Sequence, residues 1–142
     1  MAIHKRKIKL VEFTLGTDPD DLSFECQLNS WTINNNTEDG EKIYTLCPTG
    51  EDQEETDPDY SIDLTFFADW RSDGISDFLW SNDGATVALV LDHHPDIALE
   101  HVRWAGNVII KAPSVGGEAR ENEMTETTLQ FIGKPVYSRP GV

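Results

Sequence analysis

Tyr-Ser-Ile-Asp-Leu-Thr-Phe-Phe-Ala-Asp-Trp, residues 60–70, is the stretch of this sequence that most directly indicates the fold. Successive side chains of a β-strand point to opposite faces of the sheet, so alternation of apolar and polar residues predicts a half-buried strand. Phe67 is the one apolar residue on the polar side of the pattern. The predicted core face carries Ile62, Leu64, Phe66, Ala68 and Trp70, and the polar face Ser61, Asp63, Thr65 and Asp69.

Similar alternation recurs on both sides of this stretch and predicts a mainly β chain. The Asn-rich residues 34–40 are predicted to turn the chain into a hairpin between the second and third strands. An apolar stripe of Ile75, Phe78 and Leu79 predicts one short helix, capped by Ser72 or Asp73 and stopped by Gly84. The further predicted strands are residues 7–15, 22–28, 41–47, 86–92, 101–112 and 124–132. We therefore expect residues 1–142 to form a single-domain β-sandwich or barrel of about seven strands, with one short flanking α-helix.

The charges are distributed unevenly along the chain. Four of the 11 Lys and Arg residues lie in residues 1–9, a basic N-terminal arm. From residue 10 onward seven basic residues face all 26 Asp and Glu, a balance of −19. Such a body repels DNA and anionic membranes, which argues against nucleic-acid or membrane binding. Since no segment has the roughly 20 apolar residues needed to cross a membrane, the sequence predicts a soluble product made in a cytoplasm.

Residues 48–59 are predicted to form a long, mobile acidic loop. The segment contains six acids, two prolines and one glycine, and no large apolar residue. Cys26 and Cys47 flank the predicted turn at 34–40 on either side, so a hairpin could bring them opposite each other. A disulfide bridge between them remains open at this stage, although burial as two free thiols is the simpler interpretation.

No residue pattern in the sequence indicates catalysis, a metal or a cofactor. His93 and His94 are neighbours, and neighbouring residues of a strand point to opposite faces, so we interpret them as a polar strand end rather than a metal site. The serines lack a nucleophile motif such as Gly-x-Ser-x-Gly. With 26 acids in the chain, close carboxylate pairs arise by chance and do not predict acid–base chemistry. We therefore expect a protein that is not an enzyme and needs no cofactor.

The four tryptophans are a large apolar load for a chain of this length. Trp70 and Trp104 occupy core-face positions of their predicted strands. Trp31 and Trp80 lie near the ends of predicted elements, where both core packing and a subunit interface are consistent with the pattern.

The order of these elements resembles that of the tail tube proteins of long-tailed bacteriophages, and is most similar to the major tail proteins of siphophages. The shared layout is a basic arm, a hairpin with a long acidic loop, a long strand ending in Trp70, a short helix and a final Thr-rich strand. Two short segments, Trp104-Ala105-Gly106 and Gly116-Gly117-Glu118-Ala119, precede that last strand. The resemblance covers the whole chain but rests on layout and size rather than on a signature motif.

The resemblance implies a structural virion protein located in the tail and made in the cytoplasm of a host bacterium. Such proteins form hexameric rings that stack into a hollow tube, with other tail proteins as partners and DNA as non-specific passing cargo. It also implies an acidic tube wall, because carboxylates do not adhere to phosphates. Candidates for this wall are Glu25, Asp63, Asp69 and Glu126, and candidates for contact between rings are Lys5, Arg6, Lys7, Lys9, Glu51, Asp52, Glu54 and Glu55.

Two other functions remain open from the sequence. The chain could be another ring-forming virion protein or the tube protein of a contractile injection system, which would share the fold. It could also be a β-sandwich carbohydrate-binding module, in which exposed aromatic side chains stack on sugars. Self-assembly distinguishes the first group from the second.

Overall fold

The computed structural model describes residues 2, 3, 5, 7–16 and 21–140, which form ten β-strands and one α-helix. The strands are β1 Val11–Leu15, β2 Leu22–Ser23, β3 Leu28–Asn35, β4 Lys42–Tyr44, β5 Glu51–Gln53, β6 Tyr60–Phe67, β7 Thr86–His93, β8 Val102–Ile109, β9 Met124–Phe131 and β10 Val136–Ser138, and the helix is α1 Ile75–Ser81. The chain is mainly β with one short helix, so the predicted fold class is confirmed.

Eight of the strands form one antiparallel sheet that folds over at β8. The order is β2-β1-β7-β8-β9-β6-β3, and β10 also pairs with β8. β8 pairs with β10 over residues 103–105 and with β9 over residues 108–109, so β9 and β10 share one edge of it. The β9-β6-β3 layer can thus pack across the β1-β7-β8 layer, and Trp31 of β3 lies against Trp104 of β8 with ring centroids 5.9 Å apart.

The core fills the space between these two layers. In β6 the buried Ile62, Leu64 and Phe66 stand at every second position, as the period of a strand requires. The helix adds Ile75 and Leu79 to the same cluster. No helix in the described part of the chain is long and apolar enough to cross a membrane. The fully buried apolar strand side chains are Phe13, Leu15, Ile62, Leu64, Phe66, Leu89, Leu91, Val108 and Leu129.

The start of the helix differs from the prediction. Gly74 occupies the N-cap position, and no side chain caps the helix, so the assignment of the cap to Ser72 or Asp73 is wrong. A Cβ at Gly74 would lie 2.5 Å from the carbonyl oxygen of Asp69, so the close approach of the two backbones favours glycine here. At the other end the helix already finishes at Ser81 with Asn82 as its C-cap, so Gly84 does not stop it as predicted, and Gly84, with φ of 85°, lies in the turn that leads into β7.

The second and third predicted strands are also wrong. The alternation in residues 22–28 is interrupted because residues 25–27 form a turn, and only Leu22–Ser23 pairs with β1. The next strand is β3, which extends into the Asn-rich segment predicted as a turn and pairs with β6. Hydrogen bonds account for this extension, since the Asn34 side chain donates to Asp63 across the ladder at 2.7 Å. The predicted third strand, residues 41–47, shrinks to β4 and pairs with β5 instead.

Trp70 lies outside the core, contrary to its predicted position. β6 ends at Phe67, so the alternation no longer governs residue 70, and the Trp70 side chain is 47% exposed. Its indole N–H donates to Glu123 at 3.0 Å. Trp104 packs partly buried against the core, as predicted.

Candidate functional site

The outer face of the β3-β6-β9 layer is polar over most of its length, and its apolar exception is the exposed pair Phe67 and Met124 where β6 ends. Asp63 is at its centre, where its carboxylate accepts hydrogen bonds from Asn34 of β3 at 2.7 Å and from Thr128 of β9 at 2.6 Å. Glu126 stands on the same face, opposite Thr65 in the β6–β9 ladder. Hydroxyl, amide and carboxylate groups therefore cover most of this surface, and two of the four acids proposed for a tube wall lie on it.

A shallow depression of about 530 Å³ lies on this face between the strands and the loop that follows β8. Asp63, Glu126 and Thr128 form its floor, and Lys111 and Ser114 lie on the loop side. Lys111 places one positive charge beside the two carboxylates of Asp63 and Glu126, so acids outnumber bases around this depression.

The other two proposed wall acids lie elsewhere. Glu25 is in the turn at 25–27, where its carboxylate faces the backbone N–H of Phe13 at 3.5 Å. Asp69 follows β6, and its side chain is only 11% exposed. The Arg71 guanidinium donates to both Asp69 carboxylate oxygens at 2.9 Å, and these bonds lower the pKa of the Asp69 carboxyl and raise that of Arg71.

A two-stranded projection, here called the acidic hairpin, spans residues 36–59. Its root is held by the bond from Asn36 N–H to the Asp59 carbonyl at 2.6 Å, and the middle by that from Glu54 N–H to the Glu41 carbonyl at 2.9 Å. β4 and β5 pair near the tip. The expected mobile loop at 48–59 is therefore one leg of a paired structure, which needs no apolar anchor because backbone hydrogen bonds hold it.

The surface of the acidic hairpin combines charge with exposed apolar side chains. Residues 36–59 contain nine acids and a single lysine, Lys42. Near the tip, however, Ile43 is 43%, Tyr44 69% and Leu46 fully exposed. Of the candidates for contact between rings, Glu51, Asp52, Glu54 and Glu55 are exposed here. Within the described residues, β4 and β5 pack against each other and against no other strand or helix.

The basic arm is tied to the body by His94. The backbone N–H of His94 donates to the Leu10 carbonyl at 2.9 Å, and its Nε2 donates to the Lys7 carbonyl at 2.7 Å. Lys5, Lys7 and Lys9 are exposed, whereas Arg6 lies outside the described residues. The segment from Lys7 to Leu10 is therefore held beside the end of β7.

His93 and His94 lie at the end of β7, as predicted, but both side chains are buried. His94 adopts φ of 52° and leaves the strand, which brings its ring to 4.6 Å from that of His93. The alternation of a regular strand cannot predict this arrangement. Among the residues that the structure describes, no three His, Cys, Asp or Glu side chains are grouped as metal ligands would be.

An aromatic cleft opens beside this histidine pair, at the end of the sandwich. Its volume is about 480 Å³, and both layers of the sandwich line it. Trp31 and Tyr60 belong to the layer of β3 and β6, and His93 and Trp104 to the layer of β7 and β8. Ile8 of the basic arm forms part of the rim. Trp31, one of the two proposed interface aromatics, is thus at the cleft, while Trp80 lies on the helix and is 49% exposed.

Asp92 is a buried acid that the sequence did not single out. Its Oδ1 accepts from Arg103 Nε at 2.6 Å and from His101 Nε2 at 2.8 Å. Arg103 lies on β8 and His101 just before it. The β7–β8 register places Arg103 opposite Asp92, so the sequence alone does not identify these partners. Paired in this way, the buried carboxylate has a structural explanation and need not be a catalytic group.

Cys26 and Cys47 are both free and exposed, so the bridge considered for them is not formed. Their predicted burial is also wrong. Cys47 lies at the tip of the acidic hairpin, where a hydrogen bond with Thr49 lowers the pKa of its thiol.

The sequence matches no protein-family model, and no curated protein is significantly similar to it. A similar fold occurs in a solved structure described as the virion of a native gene transfer agent particle. The two chains superpose with a TM-score of 0.58 over 89% of this chain and 95% of the other, at 16% sequence identity. At that identity the likeness shows a shared fold.

Proposed function

We propose that this chain is a structural virion protein whose copies assemble into stacked hexameric rings, forming the tail tube through which a phage genome passes. The observation that carries the proposal is the polar, acidic face of the β3-β6-β9 layer beside an edge strand that is free to pair. The fold shared with a chain of a gene transfer agent virion supports the virion role.

The edge strand is β3, which pairs with β6 on one side and with no other described strand on the other. It is eight residues long, and beyond the register shift between Leu28 and Ser30 its residues 30–35 form a regular edge, which is a template for pairing with another chain. In a closed ring, each copy's sheet would continue into the next, which removes the exposed edges. Self-assembly would therefore pair the edge of β3, which in a monomer would be exposed to aggregation with other chains.

The polar face would line the tube. Asp63 and Glu126 would present carboxylates to passing DNA, and like charges keep the phosphate backbone from adhering. Glu25 and Asp69 are not part of this wall in the proposal because they lie away from the face. DNA is then non-specific cargo rather than a ligand.

Contacts between rings would use the opposite charges of the two projections. The acidic hairpin presents Glu51, Asp52, Glu54 and Glu55, and the basic arm presents Lys5, Lys7 and Lys9, with Arg6 expected to act with them. Complementary charges set orientation and accelerate docking. Trp80, exposed on the helix, is a further candidate for a subunit interface. Other virion proteins would be the partners at the ends of the tube, and the protein would be made in the host cytoplasm.

Negative-stain electron microscopy over a concentration series, with light scattering after size-exclusion chromatography, tests this function. Rings or hollow tubes with a bore wide enough for duplex DNA are the expected result. A strict monomer at every concentration would contradict self-assembly. In that case a glycan array probed with the same sample would test the carbohydrate-binding alternative, for which the aromatic cleft is the natural site.

A further inference from the structure

The two ends of the sandwich are closed differently. The helix follows β6 and precedes β7, and it covers the end where β6 finishes and β7 begins, with Ile75 and Leu79 fully buried. At the opposite end, where β6 begins and β7 finishes, no described helix covers the layers. The aromatic cleft lies there, and Trp31, Tyr60 and Trp104 are only partly buried.

Two lysines adjoin the aromatic cleft in sequence, although none of the described residues that line it is a lysine or an arginine. Ile8 lines the cleft, and its neighbours Lys7 and Lys9 are exposed on either side of it along the chain. The hydrogen bonds from His94 to the Lys7 and Leu10 carbonyls hold this segment in place. A ligand suited to this site would combine an apolar part with surrounding negative charge.

The tip of the acidic hairpin has this combination. Tyr44 and Leu46 are exposed apolar side chains, and Leu46 is fully exposed. Acidic residues precede and follow them, with Glu41 before β4 and the pair Glu51 and Asp52 in β5. An aromatic and an aliphatic side chain that protrude into water in this way are typical of residues covered in an assembly.

The hairpin does not fill the cleft of its own subunit, since none of its described residues lines that cleft. Its legs leave the body at Asn35 and Tyr60, which themselves line the cleft, and the legs are about twelve residues long. A fully extended leg of that length spans at most about 40 Å. In the structure β4 and β5, which flank the tip, contact no other strand or helix of the described part of their own subunit.

We propose that the tip of the acidic hairpin of one copy docks in the aromatic cleft of a second copy, with Tyr44 and Leu46 against Trp31 and Trp104. The acids of the hairpin then lie beside Lys7 and Lys9. Tip and cleft are different surfaces of one subunit, so the contact is head-to-tail and propagates from copy to copy. The inference rests on the proposed function, and it identifies the aromatic cleft as the surface of a second copy that the acidic hairpin contacts.

Disulfide trapping in the full-length protein tests the contact, because Cys47 already lies at the tip. With Cys26→Ser as background, Asn35→Cys places a thiol at the cleft, where residue 35 is exposed. The matched control is Ser81→Cys, exposed at the helix end of the body. Mild oxidation is expected to give a ladder of reducible covalent multimers with Asn35→Cys, at several times the yield of the control. Equal yields from the two variants would overturn the contact.

A second pair of variants tests the apolar part. Leu46→Asp is expected to abolish assembly, whereas Leu99→Asp, at an exposed leucine that lines neither cleft nor hairpin, is expected to assemble as the wild type does. Rings or tubes formed equally well by Leu46→Asp, without trapping at position 35, would overturn the docking and leave the proposed function standing. A wild-type protein that stays monomeric and gives no trapped multimers would overturn both.

Discussion

The indole of Trp31 on β3 packs edge-on against the imidazole of His93 on β7, with ring centroids 5.4 Å apart and an interplanar angle of 80°. Three strands separate β3 from β7 in the order of the sheet, so this contact joins the two layers across the core. It lies at the end of the sandwich that the helix does not cover. The stability of that end therefore depends on a few aromatic contacts.

Trp31→Ala is expected to lower the free energy of unfolding by about 2–3 kcal/mol, less than for a fully buried tryptophan, because part of the ring faces the cleft. Urea denaturation followed by circular dichroism measures the change. The control is Trp80→Ala, at an exposed helix position, for which a change of about 0.5 kcal/mol or less is expected. Equal losses in the two variants would contradict the packing role of Trp31.

Asp92→Asn is expected to destabilise the fold by about 2–3 kcal/mol, since Arg103 and His101 lose their shared carboxylate in a buried setting. The matched variant is Asp96→Asn, whose side chain is half exposed, and it should change stability by about 0.5 kcal/mol or less. Denaturant unfolding at neutral pH compares them. A neutral Asp92→Asn would show that the cluster contributes no net stability.

Asp69→Asn is expected to change how the free energy of unfolding depends on pH in the acid range. The pKa of the Asp69 carboxyl is lower in the folded than in the unfolded chain, so its contribution is complete above the unfolded value, about 3.9, and is lost as pH falls through the folded value. Because Arg71 is well exposed, the contribution should be about 1 kcal/mol or less. When unfolding is measured at a series of pH values, the difference in unfolding free energy between wild type and variant should shrink as pH falls below about 3.9. A difference that grows in acid would contradict the assignment.

Reversing the charge of the polar face is expected to make assembled particles retain DNA. The double variant Asp63→Lys and Glu126→Lys replaces two repelling carboxylates with two cations, and its retention of duplex DNA should decrease as salt rises. Co-sedimentation at low and high salt measures this. Glu118→Lys with Glu121→Lys, in the exposed loop before β9, makes the same change in net charge away from the face. Equal retention by both double variants would show that net charge, rather than this face, is responsible.

Assembly is expected to slow amide exchange along β3, because its free edge would pair with the next copy. Hydrogen exchange of dilute monomer and assembled protein should show at least a tenfold slowing in residues 28–35. Exchange in β6, which is paired on both sides already, serves as the internal reference. Unchanged exchange in β3 on assembly would exclude sheet continuation at this edge.

The sequence predicted the strands whose alternation coincides with burial, namely β6, β7, β8 and β9, because there the local pattern and the core agree. It failed where backbone geometry overrides the pattern. Residues 22–28 alternate well but turn at 25–27, and β3 was missed because its asparagines are stabilised by partners such as Asp63 that only the fold brings close.

For the candidate surfaces, the sequence placed Asp63 and Glu126 on polar strand faces, and the structure brings them to one surface. It could not identify the aromatic cleft, since Trp31, His93 and Trp104 come from three strands that meet only when the sheet folds over. The burial of His94 follows from its left-handed backbone, which no periodicity indicates.

The legs of the acidic hairpin continue directly into β3 and β6, which are neighbours in the sheet. A tensile force on the tip therefore pulls both strands in the same direction and does not unzip them from each other. The load passes to the β6–β9 ladder as shear along seven residue pairs, which must yield together rather than one at a time. The projection is thereby anchored as a mechanical tether, strongest along its own axis.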